Sequence, residues 1–396
     1  MNTEKAVPKL RFSGFTDEWN EVTLNDVATF SKGKGISKND ISNYGIECVR
    51  YGELYTKYNE MIYNIESKTD LDKNELKLSE KNDILIPCSG ETAIDLATAS
   101  CIQKDQVAIG GDITVIKTNQ YAPFITYYLN QKKTEIAKYA QGISIVHLYP
   151  KDFKVMNIRI PSFNEQKKII ALLEEITKKE QLLESKYQQY QEFKKYLMQQ
   201  IFTQKLRFNF TDEWEKYLLG DISLIGKGFT PSTSNPSFWD GDLKWLSIAD
   251  MNQGKYINQT TKKITSDGSK NKEPVKKGTL LMSFKLSIGK LGILTEDMYT
   301  NEAICNFKWK NKDVLTEYMY YYLSSINILK YGSQAAKGIT LNNETLSTIP
   351  VLLPSLEEQK KIINILSDVD LKISMLENSI NDTSKFKKGL LQQMFV

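Results

Sequence analysis

The sequence predicts an α+β protein: two mixed α/β domains joined by two long antiparallel coiled-coil helices, with a pseudo-two-fold internal repeat. Three observations lead to this fold class. Two long segments share a seven-residue apolar period and a nearly identical start; a short motif near the beginning recurs after the first of them; and strand-like runs broken by turns fill the remainder. The expected order is domain, helix, domain, helix.

The segment that starts at Pro161 returns at Pro354, an offset of 193 residues. The first copy begins Pro-Ser-Phe-Asn-Glu-Gln-Lys-Lys-Ile-Ile, the second begins Pro-Ser-Leu-Glu-Glu-Gln-Lys-Lys-Ile-Ile, and a Phe-Lys-Lys triplet recurs near both ends. A serine three residues before a glutamate is the capping-box pattern, in which both side chains satisfy free amides of the first helical turn. Each copy is therefore predicted to begin a helix.

Apolar residues recur every seven positions in both copies, which favours paired and supercoiled helices. Glu180, Lys194, Thr383 and Lys387 interrupt this seam, a feature that suits a specific pairing better than promiscuous self-association. The alternative is an ordinary amphipathic surface helix, but the duplicated cap, spacing and end argue against it for both copies together. The predicted helix-pairing residues are Ile169, Ile176, Leu183, Tyr190, Leu197, Ile362, Val369, Leu376 and Leu390.

The motif Lys-Leu-Arg-Phe, followed closely by Phe-Thr-Asp-Glu-Trp, occurs from Lys9 and again from Lys205. This repeat sets domains at residues 1–160 and 205–353, with helices at 161–204 and 354–396. Pairing of the seams then predicts antiparallel helices, with Phe395 returning beside Lys9. At ~1.5 Å per residue, a helix of about 35 to 40 residues is on the order of 50 to 60 Å long. Within the domains, strands are predicted at 83–87, 107–116, 156–160, 243–248, 278–283 and 348–353, and helices at 124–139 and 314–331.

The chain has 396 residues, of which 41% are hydrophobic and 25% are charged, an ordinary globular composition. No apolar run approaches the ~20 residues that span a bilayer, and residues 1–9 do not resemble a secretory signal, so a cytoplasmic location is expected. The net charge of +4 permits nucleic-acid binding without requiring it.

The cysteines are scattered and His147 is the only histidine. One histidine and scattered cysteines do not supply the residues that a Cys/His zinc site or a histidine-based catalytic triad needs. We therefore predict no metal site, no catalytic residue and buried thiols. The run Asn-Pro-Ser-Phe from Asn235 is close to the Asn-Pro-Pro-Phe of amino-methyltransferases. The second proline and a glycine-rich cofactor loop are missing, however, and a turn is the better interpretation.

Two unlike domains on a rod suit a long, repetitive ligand probed at two places, and double-stranded DNA is the obvious one. Half-sites one helical turn apart, roughly 34 to 36 Å, face the same side of the duplex. Lysines among glycines suit phosphates, although a solvated turn is the alternative for them, and polar loop side chains suit base edges. The predicted DNA-binding residues are Lys32, Lys34, Ser89, Glu91, Thr92, Lys227, Thr230, Ser232, Thr233, Ser234, Asn235, Ser283, Lys285 and Ser287.

Several of these motifs resemble the specificity subunits of type I restriction-modification systems. The resemblance rests on both Pro-Ser-x-x-Glu-Gln-Lys-Lys-Ile helix starts and on the second domain, where Gly-Lys-Gly-Phe-Thr-Pro-Ser-Thr starts at Gly226, Phe-Trp-Asp-Gly at Phe238 and Lys-Trp-Leu-Ser-Ile-Ala-Asp at Lys244. It spans essentially the whole chain. The first domain lacks the Thr-Pro-Ser in residues 31–37. It is included in the resemblance because its shared motifs occur in the same order along the sequence as those of the second domain.

By this resemblance, each domain is a target-recognition domain that reads one half of a bipartite, asymmetric double-stranded DNA site. The paired helices are spacers, and their seam residues would also dock two methyltransferase subunits, to which restriction/translocase subunits can add. S-adenosylmethionine, ATP and Mg²⁺ belong to those partners, and this chain would use no cofactor and catalyse nothing. The alternatives are a self-contained DNA adenine methyltransferase or nuclease with fused recognition domains, and a coiled-coil protein-binding scaffold.

Overall fold

A computed structural model describes residues 7–142, 146–285, 287–335 and 338–396 of the chain. Residues 1–6, part of the segment 1–9 that is not expected to be a secretory signal, lie outside these ranges. The chain divides into two compact units, Met1–Leu183 with Ser379–Val396, and Glu184–Asn378. Each long helix therefore begins in one unit and ends in the other. Among the described residues, no helix combines the length and the hydrophobicity that a bilayer span needs.

The first unit consists of short strands, short helices and the beginning of the first long helix. Its strands are β1 (Asn20–Thr23), β2 (Ala28–Lys32), β3 (Ile41–Ser42), β4 (Ile46–Val49), β5 (Met61–Ile62), β6 (Ser67–Thr69), β7 (Ile84–Pro87), β8 (Ser89–Gly90), β9 (Ser100–Ile102), β10 (Ala108–Ile109), β11 (Ile113–Thr118), β12 (Val146–His147) and β13 (Asn157–Ile160). Its helices are α1 (Leu24–Val27), α2 (Glu53–Thr56), α3 (Ala93–Leu96), α4 (Ala122–Gln131), α5 (Lys133–Ile136), α6 (Pro150–Phe153) and α7 (Phe163–Phe202). Single 3-10 turns lie at Lys38–Asp40, Lys73–Glu75 and Ala137–Tyr139.

The second unit also consists of short strands and short helices and contains the beginning of the second long helix. Its strands are β14 (Glu215–Leu218), β15 (Ser223–Lys227), β16 (Trp239–Leu246), β17 (Tyr256–Ile257), β18 (Lys262–Ile264), β19 (Leu280–Ser283), β20 (Leu291–Leu294), β21 (Tyr299–Thr300), β22 (Ile304–Trp309), β23 (Ser333–Ala335), β24 (Gly338–Thr340) and β25 (Pro350–Leu353). Its helices are α8 (Leu219–Ile222), α9 (Ser266–Ser269), α10 (Thr316–Ser325), α11 (Asn343–Ser347) and α12 (Leu356–Met394). Single 3-10 turns lie at Pro236–Phe238, Ala249–Asn252 and Ile328–Tyr331.

The two units contain the same central sheet. Its strand order is β2-β11-β7-β9-β5 in the first unit and β15-β22-β19-β20-β17 in the second. In both, the last pair is parallel and the other pairs are antiparallel. A two-stranded antiparallel ribbon, β1 with β13 or β14 with β25, leads into each long helix. The predicted internal repeat and mixed α/β class are thus confirmed.

The predicted runs 83–87, 156–160, 278–283 and 348–353 contain β7, β13, β19 and β25. Run 107–116 is two strands, because β10 pairs with β4 in a separate four-stranded sheet while β11 joins the central sheet. Run 243–248 is the end of the longer β16. The helices predicted at 124–139 and 314–331 are shorter, because α4 ends at Gln131 and α10 ends at Ser325.

A buried carboxylate fixes the start of each long helix to its own unit. Glu165 is 1% exposed and accepts hydrogen bonds from Nε and Nη2 of Arg11 at 2.7 and 2.8 Å. Glu358, also 1% exposed, accepts the same pair of bonds from Arg207, and a third from the indole N–H of Trp214 at 3.0 Å. The glutamates of the two capping boxes thus bind arginines that lie far away in the sequence. This pairing was not visible in the spacing of the motif.

The serine half of each cap is present, since the Glu165 amide donates to Ser162 Oγ at 3.4 Å and its counterpart does the same. The next residue in each motif, a buried glutamine, ties the helix to the preceding loop. Gln166 donates to the Pro161 carbonyl at 2.9 Å and accepts from the Tyr121 amide at 3.0 Å. Gln359 makes the equivalent bonds. The duplicated Glu-Gln pair is therefore a structural joint.

In the first unit the end of α12 lies beside the beginning of α7. Lys387 Nζ is 3.2 Å from Glu180 Oε2, and the Leu10 amide donates to the Gln393 carbonyl at 2.9 Å. Phe395 stacks on a ring of α4 with centroids 5.4 Å apart, so the end of the chain completes this core. The return of Phe395 to the start of the chain is as predicted.

In the second unit the end of α7 lies beside the beginning of α12. Lys194 pairs with Asp370 at 2.5 Å, and Leu197 shares one core with Ile362. In both units the helices are therefore antiparallel, and three of the four polar seam residues form ion pairs, while Thr383 bonds to its own helix. Ile169, Ile176, Leu197, Ile362, Val369, Leu376 and Leu390 are buried, and Leu183 and Tyr190 are half-buried.

We expect Glu165→Gln to lower the free energy of unfolding by on the order of 3 kcal/mol, because it leaves the Arg11 guanidinium, whose side chain is only 12% exposed, without its carboxylate. The measurement is the shift of the urea unfolding midpoint, with hydrogen exchange of the first unit as a second readout. Lys178→Gln, which removes an exposed ion pair with Glu175, is the matched control and should leave the urea midpoint nearly unchanged. Equal, small shifts in both variants would contradict the role of the buried pair.

Candidate nucleic-acid interface

A lysine ends the first strand of each central sheet: Lys32 in β2 and Lys227 in β15, both exposed. The glycine one residue further on is needed for close packing. A Cβ at Gly33 would lie 1.9 Å from the Gly110 carbonyl oxygen, and one at Gly228 would lie 2.0 Å from a carbonyl oxygen of β21. Both glycine amides donate to neighbouring strands, at 2.9 and 3.1 Å. The glycines therefore hold the lysines in place, and their amides are not free for phosphates.

In the first unit, cationic and aromatic side chains gather around Tyr149. The Nζ atoms of Lys32 and Lys151 lie 5.5 and 5.8 Å from the centroid of its ring, within cation–π distance. The His147 ring stacks on Tyr149 with centroids 5.9 Å apart and an interplanar angle of 12°. Ser89 Oγ is 3.1 Å from His147 Nδ1, across the β8–β12 pair. We call these five residues the Tyr149 cluster.

The other predicted residues of the first unit differ in availability. Glu91 and Lys34 are exposed. Thr92 is exposed but caps α3, since its hydroxyl accepts from the Asp95 amide at 3.2 Å and donates to the Asp95 carboxylate at 2.6 Å. Ser89 is only 8% exposed. The lysines and Glu91 are therefore the groups most open to a ligand.

In the second unit, a cleft of about 390 Å³ brings Lys227 and Lys285 together with Glu302. The Thr230 hydroxyl donates to the Glu302 carboxylate, so three of the predicted residues meet around this site. Phe284 and the residues 341–344 complete its walls. We call it the Glu302 cleft. It lies at the corresponding position to the Tyr149 cluster, between the end of the first sheet strand and the start of the short helix α11.

Ser283 and Ser287 shape the turn beside this cleft. Ser283 is fully buried; its hydroxyl donates to the Ser287 carbonyl and accepts from the Lys290 amide at 3.0 Å. Its hydroxyl therefore has a structural role, while Ser287 and Lys285 are exposed.

The remaining predicted residues form an exposed or half-exposed loop before β16. Ser232 Oγ and Ser234 Oγ are 2.8 Å apart, and Thr233 is exposed. Asn235 Oδ1 accepts from the Ser237 amide at 3.1 Å and caps the following 3-10 turn. The turn interpretation of the Asn-Pro run is confirmed.

Aromatic residues anchor this loop. The indole N–H of Trp239 donates to the Ser232 carbonyl at 3.1 Å, and that of Trp245 donates to the Phe229 carbonyl at 2.9 Å. The two indole rings pack edge to face with centroids 5.1 Å apart. The aromatic residues of the motif therefore hold the backbone of the loop that presents the polar side chains.

Asp250 closes the Trp-Leu-Ser-Ile-Ala-Asp motif into a turn. Its carboxylate accepts from the Ser247 amide and hydroxyl at 2.9 and 2.7 Å, and from the Thr261 amide at 3.1 Å and hydroxyl. Partial burial raises the pKa of Asp250, but the hydrogen bonds from Thr261 and Ser247 lower it more, so the net shift is downward. The ionised carboxylate is thus a fixed part of this turn.

All four cysteines are buried free thiols, as predicted. Burial raises the pKa of Cys48 to about 11 and those of Cys101 and Cys305 to about 12, so they stay protonated at neutral pH. Residues 7–142, 146–285, 287–335 and 338–396 contain no cluster of three or more His, Cys, Asp or Glu placed to hold a metal ion.

Tyr149, Lys151 and Glu302 were missed because candidates were sought among glycine-flanked lysines and polar loops. In the first domain, a sequence signal for nucleic-acid binding was present: a lysine close to a histidine and a tyrosine, in the run His-Leu-Tyr-Pro-Lys from His147. Glu302 had no such signal, since only the sheet topology brings it to Lys227.

The chain thus contains a duplicated α/β domain, antiparallel helix segments within each unit, and lysine-bearing polar loops in each copy. The family model of the type I restriction modification DNA specificity domain matches residues 16–191 and again 211–383. The chain therefore belongs to this family, the specificity subunits of type I restriction-modification systems.

Curated relatives have the same description. The MjaIX specificity subunit of Methanocaldococcus jannaschii is 29% identical over 189 residues, 46% of this chain and 42% of the relative. The HindI specificity subunit of Haemophilus influenzae is 28% identical over 179 residues, 43% and 38% of the two chains. These two matches span less than half of either relative. The MjaVIII specificity subunit of M. jannaschii is 23% identical over 405 residues and covers 95% of this chain and 91% of the relative.

Solved structures show the same fold. The S subunit of a type I restriction-modification system from M. genitalium superposes with a TM-score of 0.64 at 16% identity, covering 98% of this chain and 99% of that one. A chain from a study of complex assembly and conformational transition of the type I R-M system gives 0.61 at 15% identity, covering 96% and 98%.

We expect Asp250→Asn to destabilise the second unit by about 1 to 3 kcal/mol, because the new amide N–H₂ faces the donors that now bond to a carboxylate. Hydrogen exchange at the Ser247 and Thr261 amides is the measurement. Since the folded pKa lies below its ordinary value of 3.8, the wild-type contribution is present above that pH and is lost as the pH falls through the folded pKa. Asp242→Asn, at an exposed carboxylate in β16, is the control, and equal exchange in the two variants would contradict the role of Asp250.

Proposed function

We propose that the chain recognises a bipartite, asymmetric double-stranded DNA site, with one half-site read by each unit. The observation that carries this proposal is that one fold occurs twice with unlike side chains at the corresponding place, the Tyr149 cluster and the Glu302 cleft. Because the two units share one fold, the Tyr149 cluster and the Glu302 cleft would contact the same kind of ligand. Their unlike side chains would select different base sequences.

The chemistry of both faces suits duplex DNA. Exposed ammonium groups of Lys32, Lys227 and Lys285 neutralise phosphates and release counterions, which supplies affinity without sequence preference. Hydroxyl, amide and carboxylate groups in the loop 230–235 and at Glu302 supply the donors and acceptors that distinguish base edges. Affinity and selectivity would thus come from neighbouring side chains of one surface.

In this proposal the chain selects the site and catalyses nothing. Its histidine is engaged with Ser89 and Tyr149, and its thiols are buried with raised pKa values. Methyl transfer with S-adenosylmethionine and ATP-dependent restriction with Mg²⁺ belong to partner subunits in this assignment, and the chain directs both to its DNA site.

Docking of the partners requires helix residues outside the seam, because the seam side chains are largely covered within each unit. Phe193 and Phe386 occupy equivalent positions in α7 and α12, and are 49% and 58% exposed. Each is followed two residues later by an exposed lysine, Lys195 or Lys388. Two identical exposed Phe-x-Lys sites suit two copies of one partner, a methyltransferase subunit with an apolar pocket and an acidic rim.

The proposed function is tested by footprinting the purified chain with its methyltransferase partners, at several stated salt concentrations, on DNA selected from a random pool. We expect two protected patches of different sequence separated by a gap of unread bases. Methyl transfer by the chain alone would instead support a self-contained methyltransferase, and absence of DNA binding by the full complex would support a protein-binding scaffold.

We expect Phe193→Ala and Phe386→Ala each to weaken binding of one methyltransferase copy about 30-fold, the effect of losing an aromatic anchor worth ~2 kcal/mol. Native mass spectrometry of a titration would show complexes with one methyltransferase copy for either single variant and none for the double variant. Leu371→Ala is the control, since Leu371 is an exposed apolar residue of α12 whose counterpart in α7 is a lysine. Full occupancy in the double variant would refute this docking site.

A further inference from the structure

The Glu302 cleft contains a carboxylate where a DNA-binding surface ordinarily presents cations. Lys227 and Lys285 line it, and Glu302 is exposed and forms no ion pair with any lysine in the described part of the chain. A carboxylate beside phosphates is repelled by about 1 kcal/mol at 4 Å even in water, and by more where water is excluded. A hydrogen-bond donor on the ligand would offset this repulsion.

The loop that holds Glu302 is rigid. Its carboxylate Oε2 accepts from the Thr230 hydroxyl, which in turn accepts from Asn301 Nδ2 at 2.9 Å. The amide of Phe229 donates to the Thr300 carbonyl at 2.8 Å, so two chain segments hold the site from both sides. One carboxylate oxygen is thereby fixed, and no described residue donates to Oε1, which can accept a bond from a ligand.

The other polar residues of the cleft are engaged in local structure. Asn342 Oδ1 caps α11 by accepting from the Thr345 amide at 2.8 Å. Asn343 Nδ2 donates to the Ile225 carbonyl at 3.0 Å. The lysines can contact phosphates. Glu344 is a second exposed carboxylate of the cleft, but only Glu302 has an oxygen held by a hydrogen bond from another described side chain, so Glu302 is the side chain of the cleft best placed to distinguish one base from another.

We propose that Glu302 is a specificity-determining residue that accepts a hydrogen bond from an exocyclic base amine in the major groove, cytosine N4 or adenine N6. This assignment rests on the proposed function and deepens it for the second unit. A carboxylate only accepts hydrogen bonds, and these two amines are the only base-edge donors in the major groove. Guanine and thymine present only acceptors there, so in each base pair the carboxylate can bond to one strand's base only, the cytosine or the adenine.

The first unit provides an internal comparison. At the corresponding place it has Tyr149 with Lys32 and Lys151, a cationic and aromatic group. Removal of Glu302 therefore alters the base preference of one half-site and leaves the other unchanged.

The test is Glu302→Ala in the full chain assembled with its methyltransferase subunits, with binding sites selected from DNA randomised at all positions. The wild-type complex is expected to prefer cytosine or adenine at one position of one half-site. The variant is expected to lose roughly 5- to 150-fold of that preference, with the other half-site unchanged. Glu344→Ala is the matched control: it removes another exposed carboxylate of the same cleft, and should raise general DNA affinity without altering any base preference.

Unchanged base preferences in Glu302→Ala, with a normal wild-type site, would overturn this inference while leaving the proposed function intact. A preference lost equally in Glu344→Ala would also overturn it. A wild-type complex that selects no bipartite site would instead refute the proposed function and this inference with it.

Discussion

The structure depends on one buried ion pair that occurs twice, a carboxylate at the first turn of a long helix bound by an arginine from the start of the same unit. Removing Glu165 and Glu358 from water is costly, and Arg11 or Arg207 offsets this cost by supplying two short hydrogen bonds to each carboxylate. The pair fixes where the helix leaves the sheet ribbon, and Gln166 fixes the preceding loop to the same turn. Each unit therefore has a defined exit direction for its helix.

This joint explains which parts of the two repeats stay alike. The Glu-Gln helix starts and the arginine motif are duplicated almost residue for residue, because both units need the same joint. The surfaces at the ends of β2 and β15 are unlike, with Tyr149 between cations in one and Glu302 beside Thr230 in the other. A common scaffold with divergent loops is what two different half-sites require of one chain.

Elements with a long, regular apolar period could be predicted from the sequence. A seven-residue apolar repeat sustained over five turns or more specifies α7 and α12 and their antiparallel pairing, whereas two-residue strands such as β5 have no readable period. Side-chain type identified Lys227, Lys285 and Thr230, which the fold brings together, but not the burial of Ser283, because residue type alone does not reveal which side of a turn faces the core. The position of Glu302 beside Lys227 could not be predicted, because it follows from the order of the strands in the sheet, and no local sequence pattern contains that order.

The polar residues that interrupt the seam help to set the register of the paired helices. Apolar knobs of similar size allow a helix to shift by one heptad with little penalty, but such a shift would carry Lys387 about 10 Å away from Glu180 and leave both charges unpaired. The same shift would withdraw Phe395 from the ring of Phe124 and break the bond between the Leu10 amide and the Gln393 carbonyl. Register in the first unit is thus set jointly by a charge pair in the seam and by the core that the end of the chain completes. That coupling makes the correct alignment of α12 a condition for closing the first domain.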